Sequence, residues 1–68
     1  MNKTPDIQIE GGGSLFMVRP LTDAGKAWLA EHCPADGEHQ YLGSALACEH
    51  RYIYNLVQGM RGDGLEVA

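Results

Sequence analysis

The chain has 68 residues, room for one domain and not for two. Nine acidic side chains against five basic ones give a formal net charge of -4, which argues against the phosphate neutralisation that non-specific nucleic-acid binding depends on. Leu, Ile, Val and Phe supply only 14 of the 68 residues, so core material is scarce and every buried side chain counts.

No stretch approaches the roughly 20 apolar residues of a membrane span. The opening Met1-Asn2-Lys3-Thr4-Pro5-Asp6 lacks the apolar segment of a secretory signal, and the expected location is cytoplasmic. Cys33 and Cys48 are too few for a disulfide scaffold and are read as thiols of a reducing compartment.

In chain order, residues 1–12 read as a flexible tail, because Pro5, the polar opening and Gly11-Gly12-Gly13 all disfavour regular structure. The alternation Ile7-Gln8-Ile9 leaves open a short edge strand, hairpinned through the glycines onto the next apolar run. A single small α/β domain is expected over 13–68. Its first strand is the apolar run Leu15-Phe16-Met17-Val18, opened by Ser14 and closed by Arg19-Pro20. Thr22 then offers an N-cap hydroxyl, and Leu21, Ala24, Gly25, Trp28, Leu29 and His32 lie on one face of a helix that Cys33-Pro34 stops.

Residues 34–43 read as a loop, and Ser44-Ala45-Leu46-Ala47-Cys48 as a second strand. From Glu49 or His50 a second helix carries Ile53, Leu56, Val57 and Met60 at i, i+3, i+4 and i+7, with Tyr52 bordering that stripe. Gly62, Gly64 and Leu65 suit a glycine-closed helix end, and Leu65-Glu66-Val67 a last short strand. The halves echo each other at an offset of 30 residues, Gly13-Ser14 matching Gly43-Ser44. The resulting order β-α-β-α-β predicts a small three-stranded sheet, largely parallel or mixed, with two helices; strand order stays open. Neither apolar run alternates with polar residues, so both sheet faces are expected to be apolar. Two helices cover one of them. The other needs the N-terminal segment, a helix on the far side or a second chain, and a two-fold homodimer is the leading expectation.

Among residues able to do chemistry, His32, Cys33, His39, Cys48, Glu49 and His50 are of zinc-ligand type, yet no CxxC or HxxxH spacing joins them. Cys48 reads as a small core residue and Cys33 as a helix end; metal held by His39, Cys48 and His50 remains an alternative. Side chains of sequence neighbours on a helix point about 100° apart, so His32 and Cys33 form no dyad. Ser14 and Ser44 lack a GxSxG elbow, and Gly11-Gly12-Gly13-Ser14 lacks a phosphate-loop lysine. No catalytic residue and no cofactor are expected, and the chain is read as a non-enzyme.

Opposite its apolar stripe, the second helix presents Arg51, Tyr54, Asn55, Gln58 and Arg61, a mixed row that a protein partner can read. Arg61-Gly62-Asp63 is the tripeptide that integrins bind, here expected to be coincidental at a helix end. Arg19-Pro20-Leu21-Thr22, Trp28, Glu31-His32, Gly43-Ser44-Ala45-Leu46, Glu49-His50-Arg51-Tyr52 and Gly59-Met60-Arg61-Gly62-Asp63-Gly64-Leu65 together give a pattern that resembles a group of small bacterial proteins of unknown function. The resemblance implies a bacterial cytosolic protein whose domain starts near residue 13, with no activity, cofactor or site residue attached. The expected function is a non-enzymatic protein-interaction module or small regulator, working as a homodimer. The alternatives are a nucleic-acid accessory protein using the second helix and a small metal-binding protein.

Overall fold

The computed structural model describes residues 4–34 and 40–68. Its order is β1 (Ile7–Gly12), β2 (Leu15–Pro20), α1 (Asp23–His32), β3 (Gln40–Leu42), β4 (Ala45–Glu49) and α2 (His50–Gly62). The class is α/β with two helices, as expected, but the sheet has four strands, in the order β1-β2-β4-β3, and every neighbouring pair is antiparallel. The parallel β-α-β-α-β arrangement is therefore corrected to β-β-α-β-β-α. Residues 7–12 leave the tail and pair with β2 along their full length, with Ile7 completely buried. The expected loop 34–43 contributes β3, three residues paired to β4.

Two tight turns account for the change. Gly13 and Gly43 sit at equivalent places in the two hairpins with φ of +76° and +65°, a left-handed backbone that a two-residue hairpin turn opening on glycine uses. Gly13 thus folds β1 onto β2, the hairpin that the sequence left open, and Gly43 folds β3 onto β4 inside the expected loop.

The 30-residue echo survives in altered form. The repeating unit is β-β-α, and in the β2–β4 ladder Met17 faces Ala47, its own counterpart 30 positions on. Leu15 pairs with Glu49 and Phe16 with Cys48, so the two halves are related by a pseudo-two-fold axis passing between Met17 and Ala47.

Both helices lie on one face of the sheet. Ile7, Val18, Leu46 and Cys48 from the strands form one buried cluster with Trp28, Leu29 and Cys33 of the first helix region and Met60 of α2. Thr22 caps α1 as expected, its hydroxyl accepting from the Gly25 N–H at 3.1 Å while donating to Asp6 at 2.6 Å. The α2 terminus closes as a Schellman motif: Leu65 N–H donates to Met60 C=O and Gly64 N–H to Arg61 C=O, both at 3.0 Å. Leu65 and Val67 pack against the core, and Val67 lies beside Ile7 in a parallel bridge on the outer edge of β1. The expected last strand 65–67 is thus reduced to a single bridge, attached to the segment read as tail.

Candidate interaction surface

Side chains alternate across a strand, so the register fixes what the second sheet face carries. Phe16, Val18, Leu46, Cys48, Ile9 and Tyr41 point to the helices. Their neighbours point away: Leu15, Met17 and Arg19 from β2, Ala45, Ala47 and Glu49 from β4, Gln8 and Glu10 from β1, Gln40 and Leu42 from β3. No element among the described residues covers this face. Leu15 is 50% exposed and Leu42 68% exposed, and Met17 and Ala47 between them are half-buried. The exposed apolar side chains are thus Leu15 and Leu42, with half-buried Met17 and Ala47 between them, while Ala45 on the same side is only 1% exposed and adds no surface. Charge sits at the two remaining corners. At one, Arg19 donates through Nε and Nη2 to Glu10 at 3.2 and 2.9 Å; at the other, Glu49 lies 3.8 Å from the Arg51 Nε.

The residues expected to bind a partner are all on the outside of α2. Arg51, Tyr54, Asn55, Gln58 and Arg61 are exposed, Tyr54 at 69%. Tyr52, expected partly in the core, is instead half exposed, with the Arg51 guanidinium 5.1 Å from its ring centre. It misses the core because it stands one position off the stripe of Ile53, Leu56, Val57 and Met60.

The remaining chemistry-bearing side chains are engaged in structure. Asp63 of the Arg-Gly-Asp tripeptide accepts from the Trp28 indole N–H at 2.7 Å and lies 3.7 Å from His32 Nε2, while His32 stacks on Trp28 with ring centres 4.2 Å apart. His50 lies 5.8 Å from the Phe16 ring. His39 lies outside the described residues, and among those described no three His, Cys, Asp or Glu side chains group as metal ligands. Cys33 and Cys48 are both buried free thiols.

Burial pushes both thiols above their usual range; Cys48 is raised further by nearby Cys33 and Glu49. Burial, then Cys33, does the same to the Tyr41 phenol, which donates to the Cys33 carbonyl at 2.6 Å. A raised acid keeps its proton longer folded than unfolded, so its contribution is intact below the unfolded value and is lost as pH climbs past about 8.5. Urea midpoints are therefore expected to hold near pH 7 and fall by about pH 9.5, and the native thiols to resist alkylation at pH 8 until denaturant is added.

No family model, curated protein or solved structure matches the chain.

Proposed function

We propose that this chain is a non-enzymatic protein-interaction module of the cytoplasm that works as a homodimer through the uncovered face of its sheet. One observation carries the reading: on a chain with so few large apolar residues, two leucines stand half or more exposed on a face that no described element shields. Scattered surface leucines are ordinary, but two exposed leucines on one sheet face, with half-buried Met17 and Ala47 between them and charge at the rim, fit an interface whose partner is absent. The outer row of α2 stays free in such a dimer and is the second surface, where Arg51, Tyr54, Asn55, Gln58 and Arg61 would meet a different protein.

Four strands about 4.8 Å apart and five residues deep give a face of about 19 by 17 Å. Its footprint is well below the ~800 Å² per partner of a standard interface, so the dimer is expected to be weak and transient. Light scattering after size exclusion should show the mass rising with concentration. Leu42→Glu should leave the fold intact and weaken association at least about tenfold, because it loses apolar contact and adds a desolvated charge. Tyr54→Ala, on the opposite surface, should change neither association nor folding stability by more than about 0.5 kcal/mol. A wild-type protein that stays monomeric at millimolar concentration would remove the reading.

A further inference from the structure

Charge is unevenly spread over the chain. α2 carries two of the five basic residues and none of the nine acidic ones, so the helix is +2 in a molecule of -4 and everything outside it is -6. One of its cations stands against local preference. The first turn of a helix favours acids, yet α2 has none there and holds Arg51 instead. Between Arg51 and Arg61 the outer row is Tyr54, Asn55 and Gln58, all exposed. Among the described residues no side-chain hydrogen bond or ion pair engages Tyr54, Asn55, Gln58 or Arg61. Arg51 has only Glu49, 3.8 Å away, and the face of Tyr52.

α1 supplies the comparison. Its exposed side is Asp23, Ala24, Lys26, Ala27, Ala30 and Glu31, alanines and charges of both signs, as suits a face that meets only water. α2 instead exposes a tyrosine and an asparagine, weaker helix formers than alanine, between two cations with no acid among them.

We propose that this row docks an acidic segment of another protein, with Arg51 and Arg61 pairing its carboxylates and Tyr54, Asn55 and Gln58 making the contacts between them. This rests on the interaction-module reading above and adds the chemistry of the partner. The two guanidiniums belong to positions ten residues apart, about 15 Å along the axis, a span that a short helix or strand covers. A guanidinium grips a carboxylate through two parallel hydrogen bonds, and tyrosine adds a large contact at low entropy cost. The charge asymmetry also selects the place: an acidic segment is drawn to α2 and repelled by the rest of the molecule. That same remainder disfavours nucleic acid, whose duplex carries a charge about every 1.7 Å and is held by many cations rather than two.

The probe is an end-capped, alanine-rich helical peptide with glutamate at every fourth position. It is titrated at low salt into the isotope-labelled full chain and followed by amide NMR shifts. Saturable shifts centred on residues 51–61, absent with the same peptide carrying lysine for glutamate, are the expected result. Arg51→Gln with Arg61→Gln should weaken binding at least about tenfold and Tyr54→Ala about threefold, with circular dichroism unchanged. If the glutamate peptide leaves the row unshifted, or binds the double variant as well as wild type, the proposal is wrong. If an oligothymidylate shifts the same row at equal or lower concentration, the row reads phosphate and the acidic-protein occupant is likewise overturned. Leu42→Glu separates this result from the homodimer, because it lies on the far side of the sheet and should bind the peptide as wild type does. A wild type that stays monomeric but binds the peptide keeps the row and loses the dimer; one that dimerises but ignores the peptide does the reverse.

Discussion

Trp28→Ala is expected to leave little of the native state at room temperature. Trp28 is the largest buried side chain and joins the two helices: Gly59 of α2 sits directly against the indole, where a β-carbon would already stand 3.4 Å from the ring. The indole N–H also ties down Asp63 just past the end of α2, and its ring carries the stacked His32. Truncation opens a cavity and takes the indole donor away from the Asp63 carboxylate, a loss of about 3–5 kcal/mol carried mainly by the cavity. At the usual 0.05–0.15 kcal/mol per residue, a domain this small holds only about 3–10 kcal/mol in all. Guanidinium titration followed by far-UV circular dichroism measures the loss, and a Trp28→Ala midpoint within error of wild type would contradict the assigned core. Trp28→Phe, which keeps most of the bulk but not the N–H, is expected to cost less.

Gly25→Ala is the less intuitive case. Alanine is the better helix former by about 1 kcal/mol, so propensity alone predicts a more stable protein. Gly25 is where the first turn of α1 crosses the entry to β1, and a β-carbon there would collide with the Asp6 carbonyl oxygen and press on the Ile7 side chain. That same carbonyl accepts the Leu21 N–H, and the Asp6 carboxylate accepts from Thr22 and from the Glu66 backbone. Moving Asp6 aside loosens the helix cap and the C-terminal segment at once, so Gly25→Ala is expected to destabilise by about 2–4 kcal/mol. Gly62→Ala, where a β-carbon would meet nothing, is expected to stabilise by a few tenths to about 1 kcal/mol. Opposite signs for one substitution at two helical glycines separate packing from propensity, and chemical denaturation of the two variants reads both.

Where local chemistry determines structure, the sequence is legible. Thr22 caps α1, Pro20 closes β2, Ile53, Leu56 and Met60 turn inward, and Gly64-Leu65 ends α2. The strands that escape are the ones with least pattern. β1 has two apolar positions before it runs into glycine, and β3 is three residues, Gln40-Tyr41-Leu42, too short for a period of two to register. Missing them turns two antiparallel hairpins into a parallel sheet, because a 30-residue echo has the same appearance whether its unit is βα or ββα. The uncovered face was announced by the unbroken apolar run from Leu15 to Val18, although the run does not say that only one side of it would be shielded.

The pairing of residues 66–68 with β1 bears on how the protein behaves when concentrated. Ile7 and Ile9 donate to the Glu66 and Ala68 carbonyls at 3.0 and 2.8 Å, and Ala68 donates back to Ile7 at 2.9 Å. The Ile7–Ile9 part of the sheet's longer flank is thereby stoppered by its own chain, which takes up the two outward amides nearest the start of β1. The opposite flank is β3, a mere three residues, too brief to template fibril growth. Shaving off the final three residues would bare the outward amides of Ile7 and Ile9, and is expected to make the protein clump at concentrations where the full chain does not.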